Sequence, residues 1–147
     1  MYSIRDANLN DLDKLLSELK SFASFYGTKL SLFGDIEYSK SALSTMIQDH
    51  LFLVCETEGN IVGFISGLRS PHIYNPEIKV ITESFWWVNE EYRGSRAGLK
   101  LLDSFIERAK QEADWVICTL EDNSPVRDDV FIRRGFRPVE RSFLLEV

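Results

Sequence analysis

The chain of 147 residues is long enough for one domain with a sizeable core, and its 44% hydrophobic and 12% aromatic residues exclude disordered and fibrous proteins. A formal net charge of −6 argues against a nucleic-acid surface and mildly favours cationic substrates such as amines. No apolar run approaches the roughly eighteen residues that span a bilayer, and residues 1–10 lack a basic region followed by an apolar one. We therefore expect a soluble, cytoplasmic, single-domain protein (residues 1–147) without a membrane partner.

The first third of the chain predicts a short strand and two helices. Residues 2–5 alternate as a strand, after which Asn8 caps a helix that has Asp11 in its first turn and ends at Gly27. A loop leads to a second helix that begins at about Ile36 or Ser39 and ends at Gln48. Apolar residues recur at helical spacing in both, which predicts buried faces made of Leu12, Leu15, Leu16, Leu19, Phe22 and Ala23, and of Ala42, Leu43, Met46 and Ile47.

The middle of the chain predicts a hairpin and a long third strand. Two β-branched and aromatic runs, 51–57 and 61–68, flank a Glu-Gly-Asn turn. Residues 69–77 contain two prolines and no periodicity, which predicts a surface loop that could act as a substrate lid. The strand at 78–88 follows. Counting in twos places on one face Val80, Thr82, Ser84, Trp86 and Val88, and on the other Ile81, Glu83, Phe85 and Trp87.

The last part of the chain predicts a β-α-β unit, a short helix and further strands. An amphipathic helix over about residues 98–113 leads into the apolar run 115–120, which suggests a buried strand parallel to the one before the helix. Asn123 then starts a short helix that ends at Gly135. The final strand or pair of strands is supplied by residues 136–139 and 142–147.

The cysteines and histidines indicate neither a disulfide nor a metal site. Cys55 and Cys118 each lie in an apolar, strand-like run, where unpaired structural thiols are usual, so we expect no disulfide. The two histidines, His50 and His72, cannot assemble a metal-ligand cluster, and we expect no metal.

The stretch between the long strand and its helix has the features of an anion site. The first N–H groups of a helix lack partners and lie at the positive end of its dipole, which suits a phosphate. Gly94 and Gly98 leave no Cβ in the way of a bulky anion. Arg93, Arg96 and Lys100 add positive charge to an otherwise acidic chain.

This stretch resembles the acyl-CoA loop of the GCN5-related N-acetyltransferases, whose pattern is Arg or Gln, two residues, Gly, one residue, then Gly or Ala. Arg93 matches the first position and Gly98 the last, whereas Arg96 stands at the fourth, which is usually Gly. The order of elements is similar along nearly the whole chain, to the Arg-Gly-Phe junction at 134–136. The resemblance implies an α/β (α+β) fold, with a mixed, mainly antiparallel sheet of six to seven strands, about four helices and splayed central strands.

The family transfers acetyl from acetyl-CoA to an amine by direct attack, without a metal. The resemblance therefore implies an N-acetyltransferase with acetyl-CoA as cosubstrate and a primary amine of a small molecule or peptide as acceptor. A CoA-binding module with little turnover is the alternative, and a ligand-free structural domain is a third. The acceptor's identity stays open, as does the choice between monomer and homodimer. Phe25, Tyr26 and Tyr38 suit either the family's acceptor-pocket wall or an ordinary core rim.

The resemblance also implies the cofactor contacts. The backbone of the strand end would hold the pantetheine arm, and the N–H groups from Gly94 to Leu99 the pyrophosphate. The Arg96 side chain could reach a phosphate or stay solvated, and Asn123 could bond the cofactor arm or only begin its helix. The implied set is Trp86, Trp87, Val88, Arg93, Gly94, Ser95, Arg96, Ala97, Gly98 and Asn123.

Glu83 is the candidate general base, as the carboxylate on the central strand. Members that use such a glutamate place it where counting back from Arg93 lands on Thr82, and a slip of one residue reverses the face unless a bulge restores it. A structural or surface glutamate is the alternative. Many members protonate the leaving thiolate with a tyrosine of the last helix, but Phe131 stands at that position, which leaves Tyr92, solvent or unassisted departure.

Overall fold

The computed structural model describes residues 1–24 and 31–147. The predicted helix end at Gly27, and Phe25 and Tyr26 of the predicted acceptor wall, lie outside the described residues. Short 3-10 turns at Leu9–Asp11 and Glu90–Tyr92 accompany the main elements. These elements are β1 (Ser3–Asp6), α1 (Leu12–Ala23), α2 (Ile36–Asp49), β2 (Leu51–Thr57), β3 (Asn60–Pro71), β4 (Lys79–Val88), α3 (Ala97–Lys110), β5 (Trp115–Ile117) and α4 (Asp129–Ile132).

The five strands form one sheet in the order β1-β2-β3-β4-β5. All neighbours are antiparallel except β4 and β5, which confirms the predicted parallel β-α-β unit. β5 pairs only with Val80–Thr82, whereas β4 continues to Val88. Beyond Thr82, therefore, no described strand lies beside β4 on its β5 side.

Three predictions about the strands and the last helix were wrong. The sheet has five strands rather than six to seven, because residues 136–139 and 142–147 form no strand; strand-like composition needs a partner edge to become a strand. β3 extends through Pro71 into the predicted loop, since Pro71 pairs with Lys79. The last helix begins at Asp129 rather than at Asn123, which lies in an exposed turn closed by a bond from Ser124 N–H to the Glu121 carbonyl.

Each face of the sheet has its own core, because β2 and β3 are buried on both faces. The side chains of α3 cover one face, and those of α1 and α2 cover the other. The α3 core includes Leu51, Leu53, Cys55, Ile65, Ile81, Leu101, Leu102, Phe105 and Ile106. The α1/α2 core includes Leu15, Leu16, Leu19, Phe22, Leu43, Phe52, Val54, Phe64 and Trp87. Both cysteines are free.

An extra residue interrupts the alternation of β4. Ser66 pairs with Phe85 and Gly67 with Glu83, so Ser84 has no residue opposite it in β3. Such a bulge shifts the alternation by one residue. Ile81, Trp86 and Val88 consequently pack in the α3 core, whereas Phe85 and Trp87 pack in the α1/α2 core. The prediction that Ile81 shares a face with Phe85 and Trp87 was wrong, because counting in twos assumes a regular strand.

Gly67 is required where β3 passes beneath α3. A Cβ at this position would lie 2.7 Å from both Ile81 Cγ2 and Phe105 Cζ, which is closer than real Cβ contacts. We expect Gly67→Ala to lower the free energy of unfolding by about 2 kcal/mol, since overpacked cores typically lose 1–3 kcal/mol. Urea denaturation measures this loss. Gly34→Ala is the matched control, because its Cβ would meet Ser31 at an ordinary 3.6 Å, and equal midpoints for the two variants would contradict the prediction.

Candidate active site

The segment between β4 and α3 is a 3-10 turn followed by an irregular stretch. Residues 93–98, which include the first two residues of α3, are here called the α3 loop. Asn89 caps the turn, since its Oδ1 accepts a 3.1 Å hydrogen bond from the Glu91 N–H. The N–H of Arg93 then bonds the Glu90 carbonyl at 3.3 Å, and Gly94 takes a left-handed φ of 79°. Only glycine adopts that conformation without strain, so Gly94 sets the direction in which the chain enters α3.

Four backbone N–H groups at the start of α3 have no acceptor within residues 1–24 and 31–147. Ser95 Oγ accepts a 3.3 Å hydrogen bond from the Ala97 N–H. The first helical hydrogen bond runs from the Lys100 N–H to the Arg96 carbonyl at 3.0 Å. The groups left over belong to Gly94, Arg96, Gly98 and Leu99. They lie at the positive end of the dipole of a fourteen-residue helix.

Arg96 occupies the position where the pattern usually has glycine, and it does so without backbone strain. Its φ of −80° and ψ of −4° are right-handed helical, so the left-handed residue of the loop is Gly94 instead. The Arg96 side chain is exposed and makes no hydrogen bond or ion pair with any described residue. It is thus a cation at the loop that no side chain of residues 1–24 or 31–147 neutralises.

The other two basic side chains of this region are already engaged. Arg93 donates from Nε to the Val88 carbonyl at 3.1 Å, and its Cζ lies 4.4 Å from the centroid of the Trp87 ring. Lys100 donates from Nζ to the Tyr2 carbonyl at 3.0 Å. The sequence places three basic side chains here, but in the folded protein Arg93 and Lys100 hold the loop and the sheet in place.

Trp86 joins β4 to both α3 and α4. Its Nε1 donates to the Gly98 carbonyl at 3.2 Å, and its ring meets Phe131 edge to face with centroids 6.0 Å apart. Phe131 also packs edge to face on Phe136 and is buried. A Cβ on Gly98 would approach Val88 at an ordinary 3.5 Å. The structure therefore brings Trp86, Gly98 and Phe131 together, and the phenyl ring at position 131 offers no proton.

Glu83 is a buried carboxylate at the point where β4 and β5 part. Its side chain is only 7% exposed, and it accepts a hydrogen bond from the backbone N–H of Thr119, just beyond β5. Burial raises the pKa of Glu83 to about 7, and the nearby charge of Glu121 adds to this, against the lowering effect of the Thr119 bond. The Ser84 bulge follows directly and puts Glu83 opposite Gly67, on the α3 side.

Glu18 is a second buried carboxylate, which was not predicted from the sequence. Glu18 lies on α1, is 5% exposed, and accepts hydrogen bonds from Trp87 Nε1 at 3.0 Å and Asn89 Nδ2 at 3.2 Å. The missed signal is its spacing: three residues after Leu15 and four before Phe22, it falls within the apolar stripe of the helix. A charged residue in that stripe must have polar partners across the core.

Neither a metal site nor a membrane-spanning helix occurs among the described residues. Within them, no group of three or more His, Cys, Asp or Glu side chains could bind a metal ion. No helix in the same part of the chain is long and apolar enough to cross a membrane.

A model of the acetyltransferase (GNAT) family matches residues 14–136, most of the chain. The chain belongs to the acetyltransferase (GNAT) family. This match confirms the resemblance drawn from the α3 loop and the order of elements. No curated protein sequence matches the chain significantly. Acetyl-CoA is the cosubstrate of the GNAT family.

Solved structures share this GNAT fold at low sequence identity. A transcriptional regulator from Bacillus halodurans C-125 superposes with a TM-score of 0.81 at 18% identity, over 100% of both chains. An acetyltransferase from Clostridium acetobutylicum, solved with acetyl-CoA, gives 0.75 at 16% identity, over 99% of this chain and 96% of that one. Glucosamine-6-phosphate N-acetyltransferase from Arabidopsis thaliana gives 0.72 at 18%, over 99% and 98%. At such identities, these likenesses show the fold alone.

Proposed function

We propose that this GNAT protein is a single-domain N-acetyltransferase over residues 1–147 that moves the acetyl group of acetyl-CoA to a primary amine of a small molecule or peptide. The observation that carries the proposal is the buried Glu83 at the point where β4 and β5 part, with a pKa of about 7. A carboxylate with a pKa near the working pH suits a general base. Membership of the family supports the reaction class.

Acetyl-CoA would bind along the end of β4 and the α3 loop. The backbone of Trp86, Trp87 and Val88 lies beyond the end of the β5 pairing and would hold the pantetheine arm. The unpartnered N–H groups at the start of α3 would hold the pyrophosphate, with the Arg96 guanidinium adding charge. The residues proposed for the loop contacts are Arg93, Gly94, Ser95, Arg96, Ala97 and Gly98.

In the proposed reaction, Glu83 takes a proton from the acceptor ammonium, directly or through water. The free amine attacks the thioester carbonyl carbon, so that a C–N bond forms and the C–S bond breaks. The nitrogen loses its second proton to solvent, and the CoA thiolate gains one from solvent or Tyr92, since Phe131 has none to give. Positioning of the two reactants supplies much of the rate, because the attack needs no covalent intermediate on the protein.

The pH dependence of the wild-type rate tests the role of Glu83. We expect kcat/KM for the amine to rise with pH with a midpoint near 7, because Glu83 must be ionised to accept the proton. Glu121→Gln should move this midpoint to lower pH, since the Glu121 charge raises the Glu83 pKa. Thiol release from acetyl-CoA with a panel of amines provides the assay. A profile without an inflection between pH 6 and 8 would contradict the assignment.

A second candidate is a CoA-binding module with little turnover. The observation that favours it is Phe131, which fills the position of the usual proton donor with a buried ring. Such a module would show a higher Tm in the presence of CoA but no thiol release with any amine. Small-molecule and peptide amines in the same panel separate the two acceptor classes.

A further inference from the structure

We propose that Glu18 is a positioning residue that fixes the α3 loop from the opposite side of the sheet and so sets the affinity for acetyl-CoA. This inference rests on the proposed function. Glu18 lies on α1, in the core that does not contain α3, yet both of its hydrogen-bond partners on β4 and beyond lead to the α3 loop. Water cannot take the place of either hydrogen-bond donor, because the Glu18 carboxylate is buried.

The first connection passes through Asn89. Its Nδ2 donates to the Glu18 carboxylate at 3.2 and 3.4 Å to the two oxygens, while its Oδ1 accepts the Glu91 N–H at 3.1 Å. The amide group is therefore held at both ends. Glu18 selects the side-chain orientation in which Asn89 caps the 3-10 turn, and that turn sets where Arg93 begins the loop.

The second connection passes through Trp87. The indole donates to Glu18 from Nε1 at 3.0 Å, and the Arg93 guanidinium stacks 4.4 Å from the centroid of the ring. A cation over an indole face is stabilised when the ring is held in place. Glu18 thus orients the ring on which the first residue of the loop rests.

The charge of Glu18 itself argues for a specific role. Burying a carboxylate is unfavourable unless it has an ion-pair partner and hydrogen bonds, and an apolar residue at this position would fill the stripe without that cost. Lys14 Nζ lies 3.2 Å from Glu18 Oε1 but is half exposed, so it compensates the charge without orienting either partner. Only a polar acceptor at position 18 can accept the two hydrogen bonds that orient Trp87 and Asn89.

Isothermal titration of acetyl-CoA into the purified protein tests the proposal. We expect Glu18→Gln to raise the Kd about tenfold, because the replacing amide can accept from only one oxygen and its NH2 faces other donors; tenfold is about 1.4 kcal/mol. Asn89→Ala should raise the Kd similarly. The Kd of the double variant should rise by less than the product of the two single-variant increases, since the effects of residues in one network are not additive.

Two controls separate positioning from loss of stability. Lys14→Met removes the ion pair but neither hydrogen bond, and it should keep the wild-type Kd within about twofold. Gly67→Ala destabilises the fold away from the loop and should also keep the Kd. Wild-type affinity in Glu18→Gln, or additive single effects, would overturn the inference while leaving the proposed function intact. No binding of acetyl-CoA by the wild type would refute both.

Discussion

Glu83→Gln is expected to lower kcat for amine acetylation by about 10²–10⁴-fold at pH 8, the usual contribution of a general base. The replacing amide keeps the shape of the side chain and can still accept the Thr119 N–H, but it cannot take a proton from the ammonium. The residual rate should lose the inflection near pH 7. Acetyl-CoA should bind as in the wild type, because Glu83 lies at the divergence of β4 and β5 rather than in the α3 loop.

Glu107→Gln is the matched control for this effect. Glu107 is exposed on α3, so the same chemical change there should leave kcat within about twofold, as for ordinary surface substitutions. A Glu83→Gln enzyme with wild-type kcat at pH 8 would show that the proton goes elsewhere. In that case Glu83 would be a structural carboxylate.

The same variant is expected to be more stable than the wild type at pH 8, by about 3 kcal/mol. The Glu83 pKa is about 7 in the folded protein and 4.5 in the reference state, so the folded state binds this proton more tightly. Stability from this group is fully present below pH 4.5 and is lost as the pH rises through 7. One pKa unit corresponds to about 1.4 kcal/mol, and the neutral amide avoids the whole cost above pH 7.

Urea denaturation at pH 8 and at pH 5 measures this difference. The gain of Glu83→Gln over wild type should shrink to well under half at pH 5, where the native glutamic acid is already protonated in the fold. Comparing variant with wild type at each pH cancels the other carboxylates that titrate in this range. A gain of the same size at both pH values would mean that the amide simply packs better, and an unchanged stability at both would mean that Glu83 is not held in a costly charged form.

Local sequence signals predicted much of this fold. Asn8 forms a full capping box with Asp11, the hairpin turn carries left-handed Glu58 and Gly59, and the apolar run at 115–120 contains a parallel strand. Each is indicated by residues close together in the chain, which is why periodicity and turn chemistry were sufficient to predict it. The free N–H groups at the start of α3 follow from the same local reasoning, because any helix leaves them.

What the sequence could not supply was the pairing between distant segments. The bulge at Ser84 arises from the register of β4 against Ser66 and Gly67 of β3, and no residue pattern within β4 indicates it. The pKa of Glu83 depends on burial beside the backbone of Thr119, thirty-six positions later. Likewise, the contacts of Arg93 with the Trp87 ring and the Val88 carbonyl form only in the folded loop. The predicted last strands do not form because β5, with three residues, does not offer them an edge long enough to pair with.

The bulge also bears on how such a chain can diverge. Side chains before and after Ser84 already point where a regular strand one residue shorter would direct them, so a deletion at this position turns none of them over. Both cores would keep their packing, apart from the buried Ser66 hydroxyl, which lies 2.9 Å from that of Ser84. Loss of one codon at Ser84 would therefore straighten β4 while leaving Glu83 on the α3 side and the scaffold intact.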